Sequence, residues 1–172
     1  MNKKKLNYRV TYLEMNRKPS FDWPKNLKHK LSILLAESFP AWYFLFFYKQ
    51  VGKKYYWTDW LRKSEDEIDE FVNDKNVLLY TLIKDGWPVG FYMLDYRKKD
   101  ICDLSFFGLV DEVIGIGLGK YLLQTAILTA WDSKKIKKLT VNTCSLDHKS
   151  AIYLYQKYGF TPVKYKDLEK TV

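Results

Sequence analysis

The chain is poor in cysteine, histidine and proline, with two, two and five of each among 172 residues. Two cysteines, Cys102 and Cys144, cannot build a disulfide framework in a chain this long and read as small core residues, so a reducing cytoplasm is the expected setting. His29 and His148 lie far apart, and no His/Cys cluster has metal-ligand spacing, so no metal is expected. A Gly-x-Ser-x-Gly nucleophile elbow is missing as well. No run reaches the roughly 18 apolar residues of a membrane span. The stretch from Ala41 to Tyr48 is intensely apolar but too short, and Met1-Asn2-Lys3-Lys4-Lys5 lacks the apolar segment of a signal peptide.

What is present describes a globular protein. Hydrophobic residues make up 47% and aromatics 17%. That composition excludes disorder and suits one domain over 1–172 with a sizeable core. The formal net charge of +9 permits a polyanionic partner. The lysines, however, are scattered in twos and threes and read as solvated surface. Neither nucleic acid nor a membrane is expected as a partner.

Periodicity supplies the element order. Tyr8–Glu14 alternates as a strand, Leu27–Glu37 and Ala41–Tyr48 read as two helices broken at Pro40, and Ser64 with Glu67 forms a capping box. Strands at 77–83, 89–94 and 101–110 meander through turns at Asp85-Gly86 and Arg97–Asp100. A helix at 117–131 and a strand at 139–144 come next. A helix capped by Asp147 then runs to about Tyr158, Gly159 stops it, and a last strand begins at Phe160. The fold class is α/β: a mixed, mostly antiparallel central sheet with helices on both faces.

Gly115-Ile116-Gly117-Leu118-Gly119-Lys120 carries the most information. Three glycines at alternate positions leave the backbone bare where a strand-like run gives way to a helix. The first N–H groups of a helix lack internal partners and carry the positive end of its dipole, so bare amides there form a phosphate cradle. A dinucleotide fold wants this motif after its first strand, with an acidic residue about 20 positions on; Ile136-Lys137-Lys138 occupies that region. A Walker loop needs Ser or Thr after the lysine, and Lys120 precedes Tyr121. The pattern is a diphosphate cradle of another kind.

Together with the run from His148 through Ala151, Leu154, Tyr155, Gly159 and Phe160, the glycine loop resembles the GNAT superfamily of acyl-CoA-dependent N-acyltransferases. The superfamily's first motif, Gln/Arg-x-x-Gly-x-Gly/Ala, falls on Ile114 to Gly119. Its second, Asn-x-x-Ala-x-x-Leu-Tyr-x-x-x-Gly-Phe, falls on His148 to Phe160. The chain departs from the pattern at Ile114, in place of Gln or Arg, and at His148, in place of Asn. The resemblance implies acetyl-CoA as donor, bound by Ile114, Gly115, Ile116, Gly117, Leu118, Gly119 and Lys120, with the loop amides at 116–120 at its diphosphate and His148 nearby. It also implies a splayed strand edge at Leu109 and Val110 for the pantetheine arm, with Gly108 as a bulge or close-approach site. Tyr155 takes the family's general-acid position. Asp103 is the candidate base, with His148 or a water as alternatives, and Ser105 shares its face. Most of the aromatic segment 42–60 reads as core, with some rings available to line an acceptor pocket, and the acidic residues at 59–70 read as a solvated face that could otherwise draw amines. The implied function is N-acetylation of a small-molecule or protein amine in a ternary complex, by a monomer or homodimer. A catalytically silent acyl-CoA-binding sensor is the alternative.

Overall fold

The structure is a computed structural model that describes residues 5–25 and 28–171. In chain order it contains β1 (Lys5–Met15), β2 (Leu31–Ala36), α1 (Ala41–Gly52), α2 (Glu65–Val72), β3 (Val77–Lys84), β4 (Trp87–Asp95), β5 (Ile101–Leu109), α3 (Leu118–Ser133), β6 (Lys138–Cys144), α4 (Ala151–Lys157) and β7 (Thr161–Thr171). The strands form one sheet in the order β2-β3-β4-β5-β6-β1-β7. Every pairing is antiparallel except β5 with β6.

The central strand β4 shows why helices cover both faces. Successive strand residues point to opposite sides, and here both sides are apolar. Tyr92 and Leu94 join the core beneath α3 and α4, whereas Phe91 and Met93 join the core beneath α1 and α2. Phe44, Phe47 and Phe91 are fully buried, with Phe47 stacked on Phe91 at 4.9 Å between centroids. Each such side chain contributes about 2 kcal/mol by leaving water. The β3–β4 turn places Asp85 at φ 50° and Gly86 at φ 90°, the two left-handed residues that match strand twist in a two-residue hairpin. At α2, the Glu67 N–H donates to Ser64 Oγ at 3.3 Å and the Ser64 N–H donates to Glu67 Oε2 at 3.0 Å, completing the capping box.

Two expectations change. The segment expected as a helix over 27–37 is strand β2 over Leu31–Ala36, paired with β3 from Leu31↔Lys84 to Ala36↔Leu79; Leu27 lies outside the described residues. Leu-Ser-Ile-Leu-Leu-Ala suits either element, and pairing with β3 decides for the strand. Helix α4 starts at Ala151 rather than after Asp147, because the Asp147 carboxylate turns back to accept from the Cys144 N–H at 2.8 Å and the Thr143 hydroxyl at 2.8 Å. The last strand runs on to Thr171 and pairs with β1, which lies between β6 and β7.

The β5 bulge lies at Ser105, since Met93 pairs with Phe106 while Leu94 pairs with Leu104. One extra residue reverses the alternation. Leu104 thus packs under α3, and Phe106 packs against the α1 side. Gly108 serves instead as a close approach: a Cβ there would lie 2.2 Å from Val51 Cγ1 of α1. Gly108→Ala is therefore expected to destabilise the fold by about 1–3 kcal/mol through overpacking. In urea denaturation, a Val51→Ala background should absorb most of that loss, and equal losses in both backgrounds would refute the contact.

Candidate active site

Strands β5 and β6 pair at Ile101↔Lys138, Cys102↔Leu139 and Asp103↔Thr140, and at no later position. Both strands continue, so they part. The bulge at Ser105 sits directly after the last pair and turns β5 away. A cavity of about 480 Å³ opens in the gap. Its wall comprises residues 104–109 of β5, Asn142 and Thr143 of β6, the loop residues Ile114, Gly115, Gly117 and Gly119, and Asp147, His148, Ala151, Leu154 and Tyr155. Val51, Tyr55 and Trp57 line it from the α1 side.

The glycine loop leads straight into α3. Gly115 has φ 90° and Gly117 has φ 89°, a left-handed backbone that disfavours any residue with a Cβ. A Cβ at either position would meet nothing within 4 Å, so backbone conformation rather than space requires glycine there. Gly117 sits at the helix start without a side-chain cap, and the first turn of α3 contains no acidic residue. Among the described residues, no protein acceptor takes the N–H of any residue from 115 to 120. Six consecutive unpaired amides at the positive end of a sixteen-residue helix form an anion cradle. Ile114, Ile116 and Lys120 are exposed, whereas Leu118 is buried and presents only its backbone to that cradle.

Residue Val110 departs from its expected edge role. Its N–H donates to Val89 O at 2.9 Å, and its carbonyl accepts from the Val113 N–H at 3.3 Å. Its N–H is therefore not left for a ligand, and Val110 does not line the cavity, whereas Leu109 does.

Tyr155 is brought to the cavity by α4, packed edge-on between Phe107 at 6.1 Å and Phe160 at 5.8 Å. Burial pushes its hydroxyl well above the ordinary tyrosine range, and the Asp147 charge adds to that. Among the described residues its hydroxyl has no hydrogen-bond partner. His148 also lines the cavity; its Nδ1 accepts from the Ser150 N–H at 3.2 Å, and its ring meets Tyr55 edge-on at 6.4 Å. Asp103 sits where the strands part. Its carboxylate accepts from the Thr140 hydroxyl at 2.5 Å and the Ser105 hydroxyl at 2.8 Å, and it is not among the lining residues. The structure thus gathers the glycine loop, Leu109, His148 and Tyr155 at one cavity and leaves Asp103 behind its vertex.

In the sequence Asp147 has only the look of a helix cap, Asn142 carries no site signal, and Tyr55 and Trp57 stand out only within the aromatic segment 42–60. Trp57 donates its indole N–H to Asp147 Oδ1 at 3.1 Å, a contact between residues ninety positions apart that no local pattern announces. Of the other aromatics in that stretch, Trp42, Phe46 and Tyr56 are exposed, and Trp60 packs on the α1–α2 core. The acidic face of α2 is solvated, with Glu67 paired to Lys63 at 2.9 Å. Among the described residues, no group of three His, Cys, Asp or Glu is placed to hold a metal, and no helix is long and apolar enough to cross a membrane.

A GNAT family acetyltransferase from Elizabethkingia anophelis, solved with acetyl-CoA bound, is similar at a TM-score of 0.58 and 23% identity, over 80% of this chain and 80% of that one. A GCN5-related N-acetyltransferase from Kribbella flavida is similar at 0.61 and 13% identity, over 95% of this chain and 57% of that one. A functionally unknown conserved protein from Staphylococcus epidermidis is similar at 0.65 and 13%, over 96% and 62% respectively. The chain spans about three fifths of the length of the latter two. Identities this low show a shared fold alone. No curated protein matched the chain. The model of the acetyltransferase (GNAT) family matches residues 36–160, most of the chain, and the protein belongs to that family.

Proposed function

We propose that the protein transfers the acetyl group of acetyl-CoA to an amine by direct attack in a ternary complex. The observation that carries this reading is the run of unpaired amides at 115–120 opening beside the cavity between β5 and β6. A diphosphate fits that cradle, because its charge meets several N–H donors and the helix dipole at once. The separated edge of β5, with Leu109 at its end, offers backbone groups to the amides of a pantetheine arm. Ile114 adds no polar group at the diphosphate, so the backbone carries that contact, with Lys120 as an exposed positive charge beside it.

Acetyl-CoA supplies an activated acyl thioester; the remaining work belongs to the chain. Tyr155 donates to the departing sulfur. Reference values of about 10 for tyrosine and 8.5 for a thiol make full proton transfer uphill by roughly 2 kcal/mol, and burial of Tyr155 steepens that. The hydroxyl thus acts first as a hydrogen-bond donor and releases its proton late. A raised pKa also keeps it protonated through neutral and mildly alkaline pH, so Tyr155 contributes no descending limb to kcat below about pH 10, the ordinary tyrosine value. Asp103, outside the cavity lining and accepting from the Ser105 hydroxyl at 2.8 Å, is not placed to take the amine's proton directly.

Calorimetry should detect acetyl-CoA binding to the wild-type protein, and an amine panel should release free thiol. Tyr155→Phe is expected to lower kcat by roughly a hundredfold with cofactor affinity nearly intact. An unchanged kcat would remove the acid assignment. Gly117→Ala should weaken acetyl-CoA binding about fivefold or more, since a left-handed alanine costs roughly 1–2 kcal/mol. Absence of heat with acetyl-CoA would contradict the whole reading, and binding without turnover of any amine would favour a silent acyl-CoA-binding module.

A further inference from the structure

The cavity holds one carboxylate whose placement the donor side does not explain. Asp147 Oδ2 accepts from the Thr143 hydroxyl and the Cys144 N–H, both at 2.8 Å, and Oδ1 accepts from the Trp57 indole at 3.1 Å. A carboxylate has about four acceptor positions. Three are filled by the protein, and the fourth belongs to Oδ1, in a half-buried residue that lines the cavity. No cation neutralises it: among the described residues, no lysine or arginine pairs with Asp147, although Asp59, Asp95, Asp100, Asp111, Asp132 and Asp167 each hold one. Among the described residues other acids also lack an ion pair, but Glu65, Asp66 and Glu70 lie on the solvated face of α2, whereas Asp147 lines the cavity.

The segment around Trp57 is built to hold this arrangement. A Cβ at Gly52 would lie 2.3 Å from Trp57 Cβ, so only glycine admits the indole there. The Trp57 N–H donates to Gly52 O at 3.1 Å, and Tyr56 before it is held left-handed at φ 58°. Such strain in a bulky residue persists only where its surroundings fix it. Tyr55 and Trp57 both line the cavity, and aromatic rings attract cations.

We propose that Asp147 is the acceptor-binding carboxylate: it takes the ammonium group of an aliphatic amine at the open position of Oδ1, with Trp57 as its positioning residue and the Tyr55 ring beside it. One N–H proton passes to Asp147, and the nitrogen lone pair then forms the C–N bond to the thioester carbonyl carbon. The C–S bond breaks, Tyr155 gives its hydroxyl proton to sulfur, and the second N–H proton returns to the tyrosine oxygen. Asp147 releases its proton to solvent. The favoured substrates are alkylamines that arrive as cations, rather than weakly basic aryl amines.

This inference rests on the acetyltransferase reading, and the test separates the two. Wild type and Asp147→Asn are titrated with acetyl-CoA by calorimetry and assayed for thiol release with phenethylamine and with aniline. The Trp57 indole N–H resonance, identified by its loss in Trp57→Phe, is followed in CoA-loaded protein as phenethylamine or uncharged 2-phenylethanol is added. Both proteins should bind acetyl-CoA equally. Asp147→Asn should raise KM for phenethylamine about tenfold or more and lower kcat/KM by roughly a hundredfold. In the wild type the resonance should move with phenethylamine and not with 2-phenylethanol. A resonance indifferent to phenethylamine, a kcat/KM for Asp147→Asn within about threefold of wild type, or a preference for aniline overturns the proposal. Missing acetyl-CoA heat in the wild type defeats the acetyltransferase reading instead, and the resonance, then followed in the unliganded protein, still decides the ammonium site. Should Asp147→Asn fail to fold, Trp57→Phe keeps the carboxylate but frees Oδ1. It should raise KM with a smaller change in kcat, and an unchanged KM overturns the proposal.

Discussion

Strands β5 and β6 share three register pairs and then separate, and the proposed chemistry depends on that separation. The extra residue at Ser105 turns β5 outward, while its pairing with β4 continues to Leu109. Where the two strands no longer satisfy each other, their backbone groups become available to something else. The same departure makes room for the cavity and leaves the glycine loop at one of its ends. An intact β5–β6 ladder would fill the gap with its own hydrogen bonds and leave a diphosphate cradle with nowhere to direct the rest of its ligand.

The two helical layers hold that gap open from opposite faces. Helices α3 and α4 bring the unpaired amides and Tyr155. From the other face α1 presses Val51 onto Gly108 and, through the Gly52 notch, delivers Trp57 to Asp147. The proposed donor-binding and acceptor-facing groups thus draw on both layers and meet at the parting of the strands. Tyr155 and Asp147 are electrostatically linked, since the carboxylate helps to keep the phenol protonated. Bringing an ammonium to Asp147 would offset that charge as the amine arrives.

Local sequence signals revealed what local chemistry controls. The Asp85-Gly86 hairpin, the Ser64–Glu67 capping box and the glycine loop each follow from a few adjacent residues and were legible. Strand β2 was not, because Leu31–Ala36 lacks a decisive period and becomes a strand through β3. The insertion of β1 between β6 and β7 is likewise a long-range pairing without a local mark. Gly108 is legible as a close-approach site and meets α1, whereas the bulge lies on Ser105, whose sequence neighbours look like an ordinary strand. Asp147 has the residue type of a helix cap; only the fold shows its carboxylate committed to Thr143, Cys144 and Trp57. Asp103, attractive by position, is held by two hydroxyls behind the cavity.

The most direct test of the account follows the backbone amide resonances of Gly115 to Lys120 while acetyl-CoA is added to isotope-labelled protein. The account predicts saturable shifts concentrated at those six amides, with smaller ones along β5 from Leu104 to Leu109. Saturable binding that leaves the 115–120 amides unmoved and shifts another surface would contradict it.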